Sequence, residues 1–303
     1  MMKNVMHFII RHPENTLREI IVGIINAAGI LWLVVSLSNF FFPTYTSNLQ
    51  QNWLIFLIPG LLWGIYQGRP KLAIRSIIEG TDASIEIIVG DLFDQEGTVV
   101  VAAPTSFDNS MDDNTIDKKS IQGQYIVRYC DSMDNLNQQI NSSLKGIDFD
   151  LRDKLEKPYG SQRRYPVGTV ANVVFNGKKA YFVALATLNE HKKASLTWND
   201  LLDGLPRLWE SIRLRGSTDP INVPILGSGF SRVNATREEL VREIIKSFIA
   251  AIHSGCFCEN LKIVISNSDF IDRKVDLDQL GSFLEHECTY GISRKPEEIG
   301  TPI

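Results

Sequence analysis

The chain has 303 residues, 44% of them hydrophobic, and a formal net charge of −4. That mild negative balance gives no reason to expect nucleic acid as a partner. Its four cysteines, without CxxC pairs or zinc-type histidine spacing, argue against both a disulfide framework and a structural zinc site.

The averages hide an asymmetry, because no Asp, Glu, Lys, Arg or His occurs from Ile20 to Gly68. Residues 20–42 suffice for one helical crossing of a bilayer, which takes roughly 20 apolar residues. Pro43 interrupts, and a second apolar run broken by Pro59-Gly60 follows. The expected membrane module is residues 1–76, with transmembrane helices at about 20–42 and 50–67. A cleaved signal peptide has a shorter apolar core, and a buried core hairpin would show a polar outer face. Lys3, Arg11 and Arg18 precede the first run, whereas Arg69, Lys71 and Arg75 follow the second. The positive-inside rule then places both ends in the cytoplasm, making a multi-pass protein of the inner membrane. Gly23, Ala27, Ala28 and Gly29 offer a small-residue surface suited to close helix packing in lipid.

Residues 77–290 read as one α/β domain and 291–303 as a loosely ordered tail. Strands are predicted at 84–89 and 98–102, and the acidic stretch 109–119 as a surface loop. Met133, Leu136, Ile140 and Leu144 mark a helix opening near Asp131-Ser132. Runs 168–175 and 179–187 flank Asn176-Gly177, a strong hairpin signal. Residues 198–212 are predicted helical, with Gly204 and Pro206 breaking or kinking the helix. Strand 222–226 leads into a glycine-rich loop and then a helix opened by a Thr236/Glu239 capping box. That helix carries an inward stripe of Leu240, Ile244, Phe248 and Ile252, stops at Gly255, and precedes a last strand at 261–266. Alternating strands and helices imply a parallel or mixed sheet covered on both faces.

Three sites lie at predicted strand ends. The loop 227–232 (GSGFSR) is able to bring backbone N–H groups close to a phosphate, although alone it reads more simply as an ordinary turn. Ser120 to Gln124 precede a helix expected from Tyr125 onward, and read otherwise as a plain connecting loop. Asp91 is placed to accept from an exocyclic amine, or simply to cap a turn. Three such sites in one sheet point to a shared crevice.

The order VGD (89–91), VVAAPTSFD (100–108), PVGTV (166–170), YFVALAT (181–187) and VPILGSGFSR (223–232) resembles a macro domain. With KKSIQGQ (118–124) as its first ligand loop and SFD after the second strand, it resembles in particular the macro domain of type II Thoeris antiviral effectors, where paired N-terminal transmembrane helices also precede the domain. The resemblance covers roughly residues 84–266. It implies that Asp91, with Leu92 beside it, holds the adenine amino group. Ser120, Ile121, Gln122, Gly123 and Gln124 would form the first phosphate and distal-ribose loop. Leu226, Gly227, Ser228, Gly229, Phe230, Ser231 and Arg232 would cradle the diphosphate, with Phe230 on the distal ribose. Thr105, Ser106 and Phe107 would also touch ligand, and Asn267 and Asp269 would flank adenine.

Where hydrolases of this fold carry a pair of Asn residues, this chain has Val101 and Pro104, which disfavours hydrolysis. The resemblance therefore implies a receptor without catalytic residues, metal or cofactor. Its ligand would be an ADP-ribose conjugate, histidine-ADP-ribose, made by a TIR-domain partner. Binding would drive self-assembly and damage the bilayer. The rival readings are a membrane-tethered ADP-ribosyl hydrolase and a passive ADP-ribose reader.

Overall fold

The computed structural model describes residues 13–41, 58–59, 62–64, 66, 72–215, 219–229, 233–272 and 274–291, in two units, Met1–Lys71 and Leu72–Ile303. In the first unit, helix α1 (Pro13–Phe41) contains one stretch, Ile20–Phe41, long and apolar enough to cross a membrane, with mean hydropathy 2.5. Only 6% of that stretch is buried, unlike the core helix of a soluble protein. The second apolar run is helical at Ile58, Pro59, Leu62, Trp63, Gly64 and Tyr66, and the rest of 50–67 lies outside the described residues. Gly64 lies directly on α1, where an added Cβ would stand 2.6 Å from the Ile20 carbonyl oxygen. The expected tail at 291–303 is described only at Gly291.

The second unit is built on an eight-stranded mixed sheet. Its strands are β1 (Ala73–Ile77), β2 (Ser84–Val89), β3 (Thr98–Pro104), β6 (Val170–Phe175), β7 (Lys178–Leu188), β8 (Ala194–Ser195), β9 (Ile221–Pro224) and β10 (Asn260–Ile265). The order is β1-β2-β10-β9-β3-β7-β6, with β8 on the end of β7. The run from β2 through β10, β9 and β3 to β7 is parallel, and β1 and β6 are antiparallel edges. A separate two-stranded ribbon joins β4 (Asp150–Leu151) to β5 (Arg163–Arg164). Central strands such as β3 are apolar on both faces because both faces are covered.

On one face, Val99, Val101 and Phe182 pack with Tyr125 and Ile126 of α2 (Ile121–Tyr129) and Leu136 and Ile140 of α3 (Met133–Ser143). Helices α4 (Trp198–Arg215) and α5 (Arg237–His253) meet through the Trp209 and Phe248 rings, 5.3 Å apart and edge to face. The capping box at Thr236 is present, and Leu240, Ile244, Phe248 and Ile252 are all buried. The β6–β7 turn places Asn176 at φ 48° and Gly177 at φ 76°, the positive angles a two-residue hairpin demands.

Several expectations need correction. Helix α4 runs unbroken past Gly204 and Pro206. Its buried stripe of Leu201, Leu205, Leu208, Trp209 and Ile212 outweighs the lost Pro N–H, and Gly204 is where the helix meets Leu185 of β7, 2.5 Å from an added Cβ. The stretch 109–119 is not wholly a surface loop, since Asn109, Thr115 and Ile116 are buried. Strand β1 and helices α6 (Asn267–Ile271) and α7 (Leu277–Tyr290) are not among the elements predicted from sequence.

Candidate functional site

The carboxyl ends of β2, β10, β9, β3 and β7 stand side by side, and the segments leaving them enclose a crevice of about 1110 Å³. Crevices outside the carboxyl ends of parallel strands are the usual ligand sites of such sheets.

At the β2 end, Asp91 caps the short 3-10 turn Leu92–Asp94. Its Oδ1 accepts from the Phe93 N–H at 2.9 Å and its Oδ2 from Arg128 Nη2 at 2.8 Å. Burial pushes the carboxyl pKa up, but the Arg128 and Phe93 hydrogen bonds and the guanidinium charge outweigh burial and hold it below the usual value. Each carboxylate oxygen has a second lone pair, so Asp91 still has acceptor capacity toward the crevice it lines.

Beyond β10, Ser266 caps α6, and Asn267 opens that helix on the crevice. Asp269 pairs there with Arg237 at 2.7 Å and Lys274 at 3.4 Å. After β9, Leu226, Gly227, Ser228 and Gly229 form the next wall. Gly227 sits at φ 83°, where a Cβ would press within 2.8 Å of Val233, so the turn requires glycine. Among the described residues, chain neighbours aside, no atom lies within 4 Å of where a Cβ on Gly229 would stand. A ligand is able to approach that backbone closely. Phe230, Ser231 and Arg232 lie outside the described residues.

The first ligand loop is not a loop ahead of a helix at Tyr125. Ser120 is the N-cap of α2 and accepts from the Gly123 N–H at 3.0 Å, so Ile121 to Gln124 already form the first turn. The positive end of that helix dipole therefore lies at the crevice through Ser120, Ile121, Gln122 and Gln124. Gln122 is buried and donates to the Asp108 carbonyl and the Asn109 side chain, which makes it an anchor of the wall. Gly123 does not line the crevice. An added Cβ would lie 2.2 Å from the Asp117 carbonyl oxygen, so Gly123 lets the preceding loop close on the helix.

Thr105, Ser106 and Phe107 also turn away from the crevice. Thr105 exchanges backbone hydrogen bonds with Ala186 and Tyr165. Ser106 and Phe107 face a second cavity of about 770 Å³ with Asp108 and Tyr165. Val101 is fully buried in the core, and Pro104 lines the crevice without a polar side-chain atom. At the β3 and β7 end, residues 114–117 and Lys192 and Lys193 complete the walls. Lys192 pairs with Asp113 at 3.1 Å; hydrogen bonds from Ser110 and Thr115 hold the Asp113 carboxyl well below the usual range. Among the described residues, no group of three or more His, Cys, Asp or Glu is arranged to hold a metal.

Arg128, Arg237, Lys192, Lys193 and Lys274 escape sequence reasoning. Arg128 alone leaves a trace, since it lies one helical turn beyond Gln124. The others reach the crevice from elements distant in sequence.

A family model described as "Thoeris protein ThsA, Macro domain" matches residues 85–266. The Thoeris protein ThsA of Bacillus amyloliquefaciens (strain Y2) is 29% identical over 156 residues, covering 50% of this chain and 50% of that protein, so the chain spans about half the length of this relative. Among solved structures, the Oceanobacillus iheyensis macrodomain with MES bound has TM-score 0.48 and 14% identity, over 71% of this chain and 98% of that one. The same macrodomain with ADP has TM-score 0.45 and 15% identity, over 69% and 96%.

Proposed function

Because the chain belongs to the Thoeris ThsA macro-domain family, whose model spans more than half of it, we propose that it is a membrane-anchored antiphage effector whose macro domain binds an NAD-derived ADP-ribose conjugate. The observation that carries this reading is the row of complementary walls along one crevice: a carboxylate at β2, a glycine-rich turn at β9 and a helix N-terminus beside β3. Adenine amine to Asp91, diphosphate to the turn and the helix dipole, and distal ribose toward β3 and β7 follow that order. The conjugated group is histidine, and a TIR-domain enzyme supplies the signal.

The protein acts by binding. Val101 and Pro104 carry no side-chain group able to orient a water, and of the two only Pro104 lines the crevice. Ligand binding favours a contact between copies, and tethering to one bilayer raises their effective concentration. Clustered transmembrane hairpins then compromise the inner membrane. The close approach of Gly64 to α1 supports the hairpin.

To test it, full-length protein in detergent is incubated with histidine-ADP-ribose, and ligand and particle size are followed together. The reading expects ligand recovered intact and a shift to larger assemblies. Release of free ADP-ribose with unchanged particle size would establish the hydrolase instead, and intact ligand without assembly the passive reader.

A further inference from the structure

Arg128 is not itself a lining residue of the crevice, yet it joins two of the segments that are. It sits in the last turn of α2, whose first turn forms the wall beside β3, and its Nη2 is 2.8 Å from Asp91 Oδ2 at the β2 end. Its guanidinium lies over the Phe93 ring, 4.7 Å from the centroid, and Phe93 in turn stands 5.9 Å from Tyr129 and 6.4 Å from Tyr125 of α2. The cation–π contact holds the guanidinium against the ring, and the Phe93 N–H holds the other carboxylate oxygen. Asp91 is thus clamped from both sides with a defined orientation, and the clamp belongs to the helix that carries the phosphate wall.

We propose that Arg128 is a positioning residue for adenine selection: it orients the Asp91 carboxylate toward the exocyclic amine of the nucleotide and ties that acceptor to the α2 wall. The proposal rests on the ADP-ribose reading above and adds to it the origin of base discrimination. The charged or titratable groups around Asp91 are Arg128 and Tyr129 from α2 and Asp94 from its own turn. Arg128 lowers the pKa of Asp91, whereas burial raises it. Without the guanidinium the carboxyl protonates at higher pH, and a protonated carboxyl is a poorer acceptor.

The experiment is calorimetry on the full-length chain in detergent, with ADP-ribose and with its inosine analogue, in which a carbonyl replaces the exocyclic amine. Wild type, Arg128→Gln, Arg128→Lys and Asp91→Ala are compared across pH. Arg128→Gln should weaken ADP-ribose about tenfold at neutral pH and leave the weaker inosine analogue unchanged. The acid limb of ADP-ribose binding should move upward in pH, and Arg128→Lys should restore part of the loss. Equal losses for both nucleotides would reduce Arg128 to a structural brace, and tighter binding would make it a competitor for Asp91; either overturns the proposal. If wild type binds ADP-ribose but Asp91→Ala, which removes the acceptor, has no effect, the adenine assignment itself fails, and Arg128 falls with it.

Discussion

Lys157 and Asp108 form an ion pair with the lysine side chain fully buried, Nζ 2.7 Å from Oδ2. The lysine also donates to the Tyr159 and Ser161 carbonyls, and Asp108 accepts from Ser106 Oγ and the Ser161 N–H. These bonds pin the 150–164 ribbon segment to the end of β3. They also give Asp108 of the SFD motif a structural role. Lys157→Met should therefore cost about 3–5 kcal/mol, because it strands a buried carboxylate, and denaturant titration measures it. A loss below about 1 kcal/mol would mean that the pair behaves like an exposed one. Cysteine chemistry gives a second test at this scale. Cys256 is exposed, whereas burial pushes Cys130 up to about 12, Cys258 up to about 11, and Cys288 upward as well. One thiol, Cys256, should react rapidly with maleimide in the folded protein at neutral pH; fast modification of Cys258 would contradict this packing.

The β6 edge of the sheet is guarded by side chains of helix α3. Gln139 of α3 accepts from the Val174 N–H at 2.8 Å and donates to its carbonyl at 3.2 Å, while Ser143 accepts from the Asn172 N–H. An open strand edge is a template for pairing with another chain. Gln139→Ala should cost about 1 kcal/mol and raise ligand-independent self-association, seen by light scattering; unchanged scattering would show that the edge needs no such cover. Which elements were legible in the sequence follows from how local their causes are. The Asn176-Gly177 hairpin and the Thr236/Glu239 box are local devices, and both are present. In strand β1 (AIRSI), Ile74 lies against Gly281 of α7 while Ile77 is exposed, so its strand character comes from pairing with β2. Pro206 is tolerated because tertiary burial exceeds local propensity. The site divides in the same way. Asp91, Ser120 and the glycine turn stand in short contiguous segments and could be read. Asp269 is legible as well, but Arg237 and Lys274 reach it only through the packing of α5 on α6 and its following turn.

At the scale of the whole molecule, the proposed effector joins a membrane anchor to a ligand-sensing domain. Every Lys and Arg near the apolar region lies outside residues 20–68, which under the positive-inside rule is the ground for proposing that both chain ends face the cytoplasm. A Thr46→Cys variant should accordingly be labelled from outside intact cells by an impermeant reagent, and protection there with labelling near the N-terminus would reverse the topology. Gly64→Leu should drive the second apolar run off α1, since no Cβ fits at the Ile20 carbonyl. Membrane damage should fall while nucleotide binding in the other unit is kept.

The central claim is that the crevice between Asp91 and the Gly227 turn is where the nucleotide binds. Calorimetry of ADP-ribose into the full-length chain, with Asp91→Ala and Gly229→Glu alongside, tests it most directly. The first change removes the adenine acceptor. The second places a carboxylate where a diphosphate would meet open backbone, without a steric clash against the described residues. The account predicts binding by wild type and a loss of at least about tenfold in each folded variant. Wild-type affinity in both would place the nucleotide elsewhere and contradict it.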